Sequence, residues 1–238
     1  MQNNQKTGLF LPLRCFLFLA VFSLCSLTTH RSLSEITHWW SVIASALNIV
    51  TILVLWRICK CCHITYRELI HYEKNKESVL NGLLFIVIML FISMAGMYLA
   101  GWLCYGEFPY LAPMMIAPIP PYLAIINVLI LPITTTVAED GLYLGYGVNG
   151  FQSKWAAVFI PAFFYALQHS FIPTMPDIRF ITYRFLSFLP LTIWICYQYY
   201  RKRNPRYIMA GHWLLNIATT VQIVMTSFMP EAYLRLIK

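Results

Sequence analysis

The sequence predicts an all-α, polytopic membrane protein with about seven transmembrane helices in one bundle. Hydrophobic residues make up 59% of the 238 residues and charged residues only 11%, a composition that a soluble globular domain does not have. Helical spans need about 20 mostly apolar residues to cross the hydrocarbon core. Seven segments meet this requirement: 8–29, 36–58, 79–104, 121–146, 154–172, 180–200 and 207–228. We therefore expect a single transmembrane domain over residues 1–238, without a separate soluble domain.

The first apolar segment has features of a secretory signal peptide. Lys6 and Arg14 precede the run CFLFLAVFSLCSL, as basic residues precede the apolar core of such a peptide. Because no clear small-x-small cleavage site follows the run, a retained first helix is favoured over a cleaved leader.

The net charge of +8 is better explained by membrane orientation than by a nucleic-acid partner, because the basic residues collect in short loops between spans. The loop after the second span contains Arg57, Lys60, Arg67, Lys74 and Lys76, and the loop after the sixth contains Arg201, Lys202, Arg203 and Arg206. Both loops should be cytoplasmic. The alternation of spans then places the N-terminus in the cytoplasm, and we expect a multi-pass protein of the cell (plasma) membrane.

Prolines interrupt both a connecting segment and several spans. Residues 108–122 carry five prolines among aromatic and Met residues, and this segment is expected at the outer membrane surface. Pro132, Pro161 and Pro190 fall inside predicted spans, where each should kink a helix. Kinks of this kind free backbone carbonyls, which neighbouring helices or water must satisfy.

The cluster CKCCH places Cys59, Cys61 and Cys62 at the end of the second span. Thiols at a membrane interface are the simplest interpretation, with palmitoylation or metal binding as alternatives. A second Cys/His cluster that would complete tetrahedral ligation is missing from the sequence.

Ionisable side chains inside the predicted spans are the best candidates for a functional site, because each costs roughly 2.5–3.5 kcal/mol at mid-bilayer and therefore usually faces the bundle interior. They are Glu139 and Asp140 in the fourth span, His169 in the fifth, and His212 with Asn216 in the seventh. Glu139 and His169 reach similar depths only if the fourth helix continues through the acids and GLYLGY. In that arrangement all of these groups converge in the cytoplasmic half of the membrane.

A carboxylate, two imidazoles and a carboxamide form a set that can hydrolyse an amide bond. The carboxylate takes a proton from water, while imidazole and carboxamide groups donate hydrogen bonds to the oxyanion that forms on the carbonyl. Taken singly, the same residues have ordinary structural interpretations: His169 and Asn216 as interhelical hydrogen-bond partners, and the acidic pair as the N-cap of a broken helix.

Three motifs in this region resemble those of the CAAX protease and bacteriocin-processing family of intramembrane endopeptidases, which includes prenyl-protein endopeptidases. The family carries Glu-Glu-x-x-x-Arg on one span, Phe-x-x-x-His on the next span and His-x-x-x-Asn on a later span. The corresponding segments are EDGLYL at 139–144, YALQH at 165–169 and HWLLN at 212–216, in the same order. The core region that carries them is expected over residues 121–228.

The resemblance implies roles for these residues. Glu139 would be the general base, His169 would help to position the water, and His212 and Asn216 would form the oxyanion site. Tyr165, in place of the family Phe, and Tyr143 and Asp140 would support them. No cofactor is expected, and zinc held by the histidines and a carboxylate is the less favoured alternative.

The first motif departs from the family pattern at two positions. Asp140 replaces the second Glu, and Leu144 stands where the family has Arg. The family arginine could neutralise the second acid or hold its helix against neighbours. Arg184, in the sixth span, is the one nearby intramembrane base that could replace the family arginine, although the topology places it towards the outer side.

The sequence therefore favours a glutamate-type intramembrane endopeptidase that cleaves a hydrophobic or lipidated peptide near the cytoplasmic face, with membrane lipid around it. The loss of the motif arginine supports a second hypothesis, an inactive scaffold, immunity or partner-binding protein with the family fold. A proton-coupled transporter is a third, for which inverted repeats would be expected, and the sequence contains no evident repeat.

Overall fold

The computed structural model describes residues 10–73, 78–110 and 112–236, and these ranges contain helices and loops without a β-strand. The α-helices are α1 (Leu13–Thr29), α2 (Leu33–Thr37), α3 (Trp40–Cys61), α4 (Tyr66–Leu69), α5 (Val79–Tyr105), α6 (Pro121–Thr135), α7 (Lys154–His169), α8 (Ile178–Lys202), α9 (Arg206–Phe228) and α10 (Pro230–Leu236). A π-helix, Thr136–Gly147, continues α6, and short 3₁₀ turns lie at Pro113–Ile116 and Val148–Gly150.

Seven of these helices correspond to the seven predicted spans, so the predicted all-α membrane fold is confirmed. Within the described ranges, five are long and apolar enough to cross a membrane: α3, α5, α6 with its continuation to Gly150, α8 and α9. Helix α1 is a shorter apolar helix of 17 residues. The start of the first predicted span and the basic residues Lys6, Lys74 and Lys76 lie outside the described residues.

Helix α7 is shorter than the predicted fifth span. It has 16 residues, or roughly 24 Å at 1.5 Å per residue, whereas the hydrocarbon core is about 30 Å thick. It ends at His169, and the loop that follows stays inside the bundle, with Ser170, Ile172 and Thr174 all buried. The C-terminal end of α7 therefore lies within the protein.

Large apolar side chains on the outside of the bundle form the lipid-facing surface. Helix α5 is the clearest case, because Leu83, Val87, Phe91 and Trp102 are each more than half exposed. Such exposure would be unfavourable in water but is expected where the solvent is lipid.

The short helices outside the spans have local sequence causes. Ser32 with Glu35 and Thr65 with Glu68 form reciprocal capping boxes at the starts of α2 and α4, which satisfy otherwise unpaired backbone N–H groups. The first turn of the polar segment 67–78 belongs to α4, and residues 74–77 of that segment lie outside the described residues.

The proline-rich segment 108–122, predicted at the outer membrane surface, makes hydrogen bonds to helix α9. The Thr226 hydroxyl of α9 donates to the Ile116 carbonyl at 2.7 Å, and the Ile119 amide donates to the Ser227 hydroxyl at 3.1 Å. These bonds satisfy backbone groups that prolines and the absence of a regular helix leave unpaired.

The fourth span continues through the acidic pair, as the sequence analysis required. Pro132 lies inside α6, and the Thr136 hydroxyl donates to the Pro132 carbonyl at 2.8 Å where the π-helix begins. Proline removes one backbone donor, and π-helical turns commonly occur at functional sites. The Tyr66 hydroxyl donates to the Val137 carbonyl at 2.8 Å, so α4 also stabilises this segment.

Glycine allows this π-helix to pack closely against its neighbours. A Cβ added at Gly141 would lie 2.8 Å from Leu55 Cδ1 and 2.8 Å from Tyr66 Cε2. Since both of these atoms belong to packed side chains, the segment carrying Glu139 and Asp140 lies against α3 and α4 only because residue 141 has no side chain.

We expect Gly141→Ala to lower the melting temperature of the detergent-solubilised protein. Overpacking of this kind costs roughly 1–3 kcal/mol, and nano-differential scanning fluorimetry measures the shift. Leu129→Val, on the lipid-facing side of α6, is the control and should melt with the parent. An unchanged melting temperature for Gly141→Ala would show that the side chains of Leu55 and Tyr66 can move aside without a loss of stability.

Candidate active site within the membrane

The π-helix, the end of α7 and the first third of α9 bring the predicted acidic and imidazole groups into contact. The Nε2 atoms of His169 and His212 both lie 3.7 Å from Oε2 of Glu139. The Nδ1 atom of His212 lies 3.3 Å from Oδ1 of Asp140. Four of the predicted site residues therefore form one cluster.

Glu139 has one oxygen engaged and one oriented towards the histidines. Its Oε1 accepts a hydrogen bond from Arg14 at 3.1 Å. Its Oε2 is buried without a hydrogen-bond partner among the described residues, although both imidazoles are close. The unpaired oxygen is therefore the one that faces both imidazoles.

Asp140 and Tyr165 hold the second imidazole from its other side. The Tyr165 hydroxyl donates to Oδ1 of Asp140 at 3.0 Å and lies 3.2 Å from Nδ1 of His212. With Nδ1 next to this carboxylate, Nε2 of His212 faces Glu139. His212 thus lies between the two adjacent acids, and Asp140 fixes the orientation of the imidazole.

Tyr143 and Asn216 lie beside this cluster. The Tyr143 ring stacks on Tyr165 with centroids 4.5 Å apart, and its hydroxyl donates to Gln168 at 3.1 Å. Asn216, one turn after His212, donates from its amide to the His212 carbonyl at 3.0 Å. Because a carboxamide carries two N–H groups, one remains after this contact.

Arg14, predicted only as a basic residue ahead of the apolar run CFLFLAVFSLCSL, is 2% exposed and is part of the site. Its Nε donates to Gln168 at 2.6 Å, one NH group donates to Thr51 at 2.6 Å, and the other contacts both Glu139 and Asn48. A side chain of α1 thus joins α3, α7 and the π-helix.

Two features of the sequence could have identified Arg14. It is followed at once by apolar residues and lies within the first predicted span, which is a costly place for a topogenic charge. Asn48 and Thr51, three residues apart on the second span, also form a polar strip on one helix face. Such a strip inside a span needs a polar partner on another helix, and Arg14 donates hydrogen bonds to both residues.

Arg184 does not fulfil the role suggested for it as a partner of Asp140. Its guanidinium donates to the carbonyls of His169 at 3.3 Å and Ile172 at 3.1 Å. Arg184 therefore satisfies carbonyls at the C-terminal end of α7, where a cation is favourable. Phe188, one turn further along α8, stacks on the His169 ring at 3.6 Å, so α8 fixes the first histidine.

The two histidines are the most exposed members of the cluster. The side chains of His169 and His212 are each 10% exposed, whereas Glu139 is 2% and Asp140 0% exposed. A molecule that approaches the carboxylates therefore meets the imidazoles first. Among the described residues, no group of three or more His, Cys, Asp or Glu side chains is arranged to hold a metal ion.

Comparison with known proteins identifies the segment that contains the four clustered acidic and imidazole residues. Residues 121–218 match the family described as Type II CAAX prenyl endopeptidase, Rce1-like. No curated protein and no solved structure matches the chain. The matched segment contains all three motifs and excludes Arg14. The resemblance to the CAAX protease family predicted from the three motifs is therefore confirmed over residues 121–218.

Proposed function

We propose that this integral membrane protein is a peptide-bond hydrolase that uses Glu139 as general base within the membrane. The observation that carries the proposal is the unpaired Glu139 Oε2, which faces the Nε2 atoms of both His169 and His212 at 3.7 Å. A water oxygen at about 2.8 Å from Oε2 is also within reach of an imidazole. The family matched by residues 121–218 is one of membrane endopeptidases.

In the proposed reaction, Glu139 accepts a proton from the water while the water oxygen adds to the scissile carbonyl carbon. His169 holds the water, and His212 donates from Nε2 to the carbonyl oxygen as its negative charge develops. The remaining N–H of Asn216 is the second proposed donor. Glu139 then transfers its proton to the amide nitrogen, the C–N bond breaks, and a carboxylic acid, which keeps the second proton of the water, and an amine leave.

The surroundings of the site support a hydrophobic substrate. The cluster lies in a bundle whose outer surface is apolar, and Trp213 and Leu214, directly after His212, are each about 40% exposed. A lipidated peptide can partition into the same layer, which raises its local concentration and offsets the entropic cost of binding. We propose cleavage near the cytoplasmic face of the plasma membrane, with the N-terminus in the cytoplasm.

The test is cleavage of a prenylated CAAX peptide by the purified full-length protein in proteoliposomes, with products identified by mass spectrometry. We expect cleavage of the prenylated peptide and little cleavage of the same peptide without its lipid. Equal cleavage of both would contradict the proposed lipidated substrate. No cleavage of either peptide would count against hydrolase activity on this class.

A chelator distinguishes the glutamate mechanism from zinc catalysis. We expect 1,10-phenanthroline to leave the rate unchanged, because Glu139 itself activates the water in the proposed mechanism. Inhibition that added zinc reverses would favour metal ligation by the same side chains instead.

The inactive-scaffold hypothesis has one observation in its favour, the apolar and fully buried Leu144 at the motif arginine position. A double variant, Glu139→Gln with His212→Ala, separates the two functions. A scaffold would retain its cellular function in this variant, whereas a hydrolase would lose it.

A further inference from the structure

Arg14 is a buried cation that contacts the proposed base from outside the family-matched segment. We propose that Arg14 is a positioning residue for Glu139, so that helix α1 is a required part of the catalytic unit. This inference rests on the proposed function. Its basis is the hydrogen bond from Arg14 to Oε1 of Glu139 at 3.1 Å, which leaves Oε2 directed at the imidazoles.

The guanidinium is held in place on all sides. An arginine side chain has five N–H donors in a planar fork, and those of Arg14 reach Gln168, Thr51, Asn48 and Glu139. Because these partners lie on α3, α7 and the π-helix, the plane of the fork is fixed by three separate elements.

The partners of Arg14 are themselves fixed. The Asn48 amide donates to the Thr135 hydroxyl at 2.8 Å, and Gln168 accepts a hydrogen bond from Tyr143 at 3.1 Å. Asn48 and Gln168 therefore cannot rotate freely without losing buried hydrogen bonds. A network supported in this way can hold a carboxylate oxygen within the narrow range that proton transfer requires.

Arg14 also supplies charge that the motif of this chain lacks. Among the described residues, the ion pairs of Glu139 and Asp140 involve Arg14 and the two histidines, and no other Arg or Lys. Leu144 is fully buried in an apolar cluster. The permanent positive charge beside the acidic pair therefore comes from α1 instead of from the π-helix.

The position of the carboxylate matters for the chemical step more than for binding. Glu139 is more deeply buried than the two histidines. A substrate bound on the histidine side of the cluster therefore need not contact Arg14. Loss of Arg14 should therefore reduce kcat, on the order of 10²-fold for a misplaced reacting group, and leave KM within about twofold.

The kinetic test compares Arg14→Gln, Arg14→Lys and the parent in proteoliposomes with the prenylated peptide. We expect kcat to fall most in Arg14→Gln and to be partly restored in Arg14→Lys, because an ammonium keeps the charge but cannot reach all four partners. Arg31→Gln, at an exposed position just after α1, is the matched control and should behave like the parent. An Arg14→Gln protein with the parent kcat would overturn the proposal.

A double-mutant cycle measures the contact without using activity. Arg14→Gln and Glu139→Gln should each lower the melting temperature. The melting temperature of the double variant should fall by less than the sum of the two single losses, since removal of both charges leaves no unpaired buried ion. Strictly additive losses would also overturn the proposal.

The two sets of measurements distinguish failure of this inference from failure of the proposed function. If Glu139→Gln abolishes cleavage while Arg14→Gln retains it, Glu139 remains the base and only the role of Arg14 is wrong. If Glu139→Gln cleaves as fast as the parent, the proposed function is wrong, and the positioning role fails with it.

Discussion

Replacing Glu139 with glutamine is expected to reduce kcat on the prenylated peptide on the order of 10²–10⁴-fold, the usual contribution of a general base. The substitution keeps the size of the side chain but removes the group that accepts the proton from water. The rate is measured with the full-length protein in proteoliposomes, at substrate concentrations that determine kcat and KM separately.

A second variant tests whether loss of the ion pair with Arg14, rather than loss of the base, causes the lower kcat. Glu139→Asp keeps the negative charge beside Arg14 but withdraws the carboxylate by one methylene from imidazoles that lie 3.7 Å away. The melting temperature of Glu139→Asp should show that the variant is folded, and its kcat should still be strongly reduced. Glu107→Gln, in the exposed loop after α5, is the matched control. Parent-like turnover by folded Glu139→Gln would show that another group activates the water.

Replacing His212 with alanine is expected to reduce kcat on the order of 10²–10³-fold, as when an oxyanion donor is removed. The change deletes the Nε2 that faces Glu139 and the Nδ1 that lies 3.3 Å from Asp140. Asp140 then retains the Tyr165 hydroxyl, 3.0 Å away, as its partner.

The variant His63→Ala, at an exposed position after α3, controls for the loss of an imidazole from the protein. A melting curve shows whether His212→Ala is folded before its rate is interpreted. If folded His212→Ala turns over substrate at the parent rate, the oxyanion donor is elsewhere, and Asn216 becomes the first residue to test.

The span pattern of this chain was predictable because membrane insertion is a local property of sequence. A run such as 79–104 must form a helix in lipid, where each backbone polar group needs an internal partner. The continuation of the fourth span through EDGLYLGYG followed from one further requirement, that Glu139 and His169 reach the same depth. That prediction is confirmed by the helix from Pro121 to Gly150.

The predicted groups Glu139, Asp140, His169 and His212 were identified from the energetic cost of polar side chains in lipid, and the structure brings them together. Their separation was not predictable. At 1.5 Å per residue, the positions of Glu139 and His169 in their spans give an offset of roughly 10 Å along the membrane normal, whereas Oε2 and Nε2 are 3.7 Å apart. The π-helical turns after Pro132 and the short α7 change the level and direction of these side chains.

The sequence by itself determined that the chain is a helical membrane bundle and which side chains are costly enough to require a polar interior. Only the tertiary structure decided how those side chains are paired. Arg14 contacts Glu139 across 125 positions of the chain, and Arg184 caps α7 rather than neutralising Asp140. Burial costs depend on a residue and its span, but ion pairing depends on which helices become neighbours, and that is set by the packing of the whole bundle.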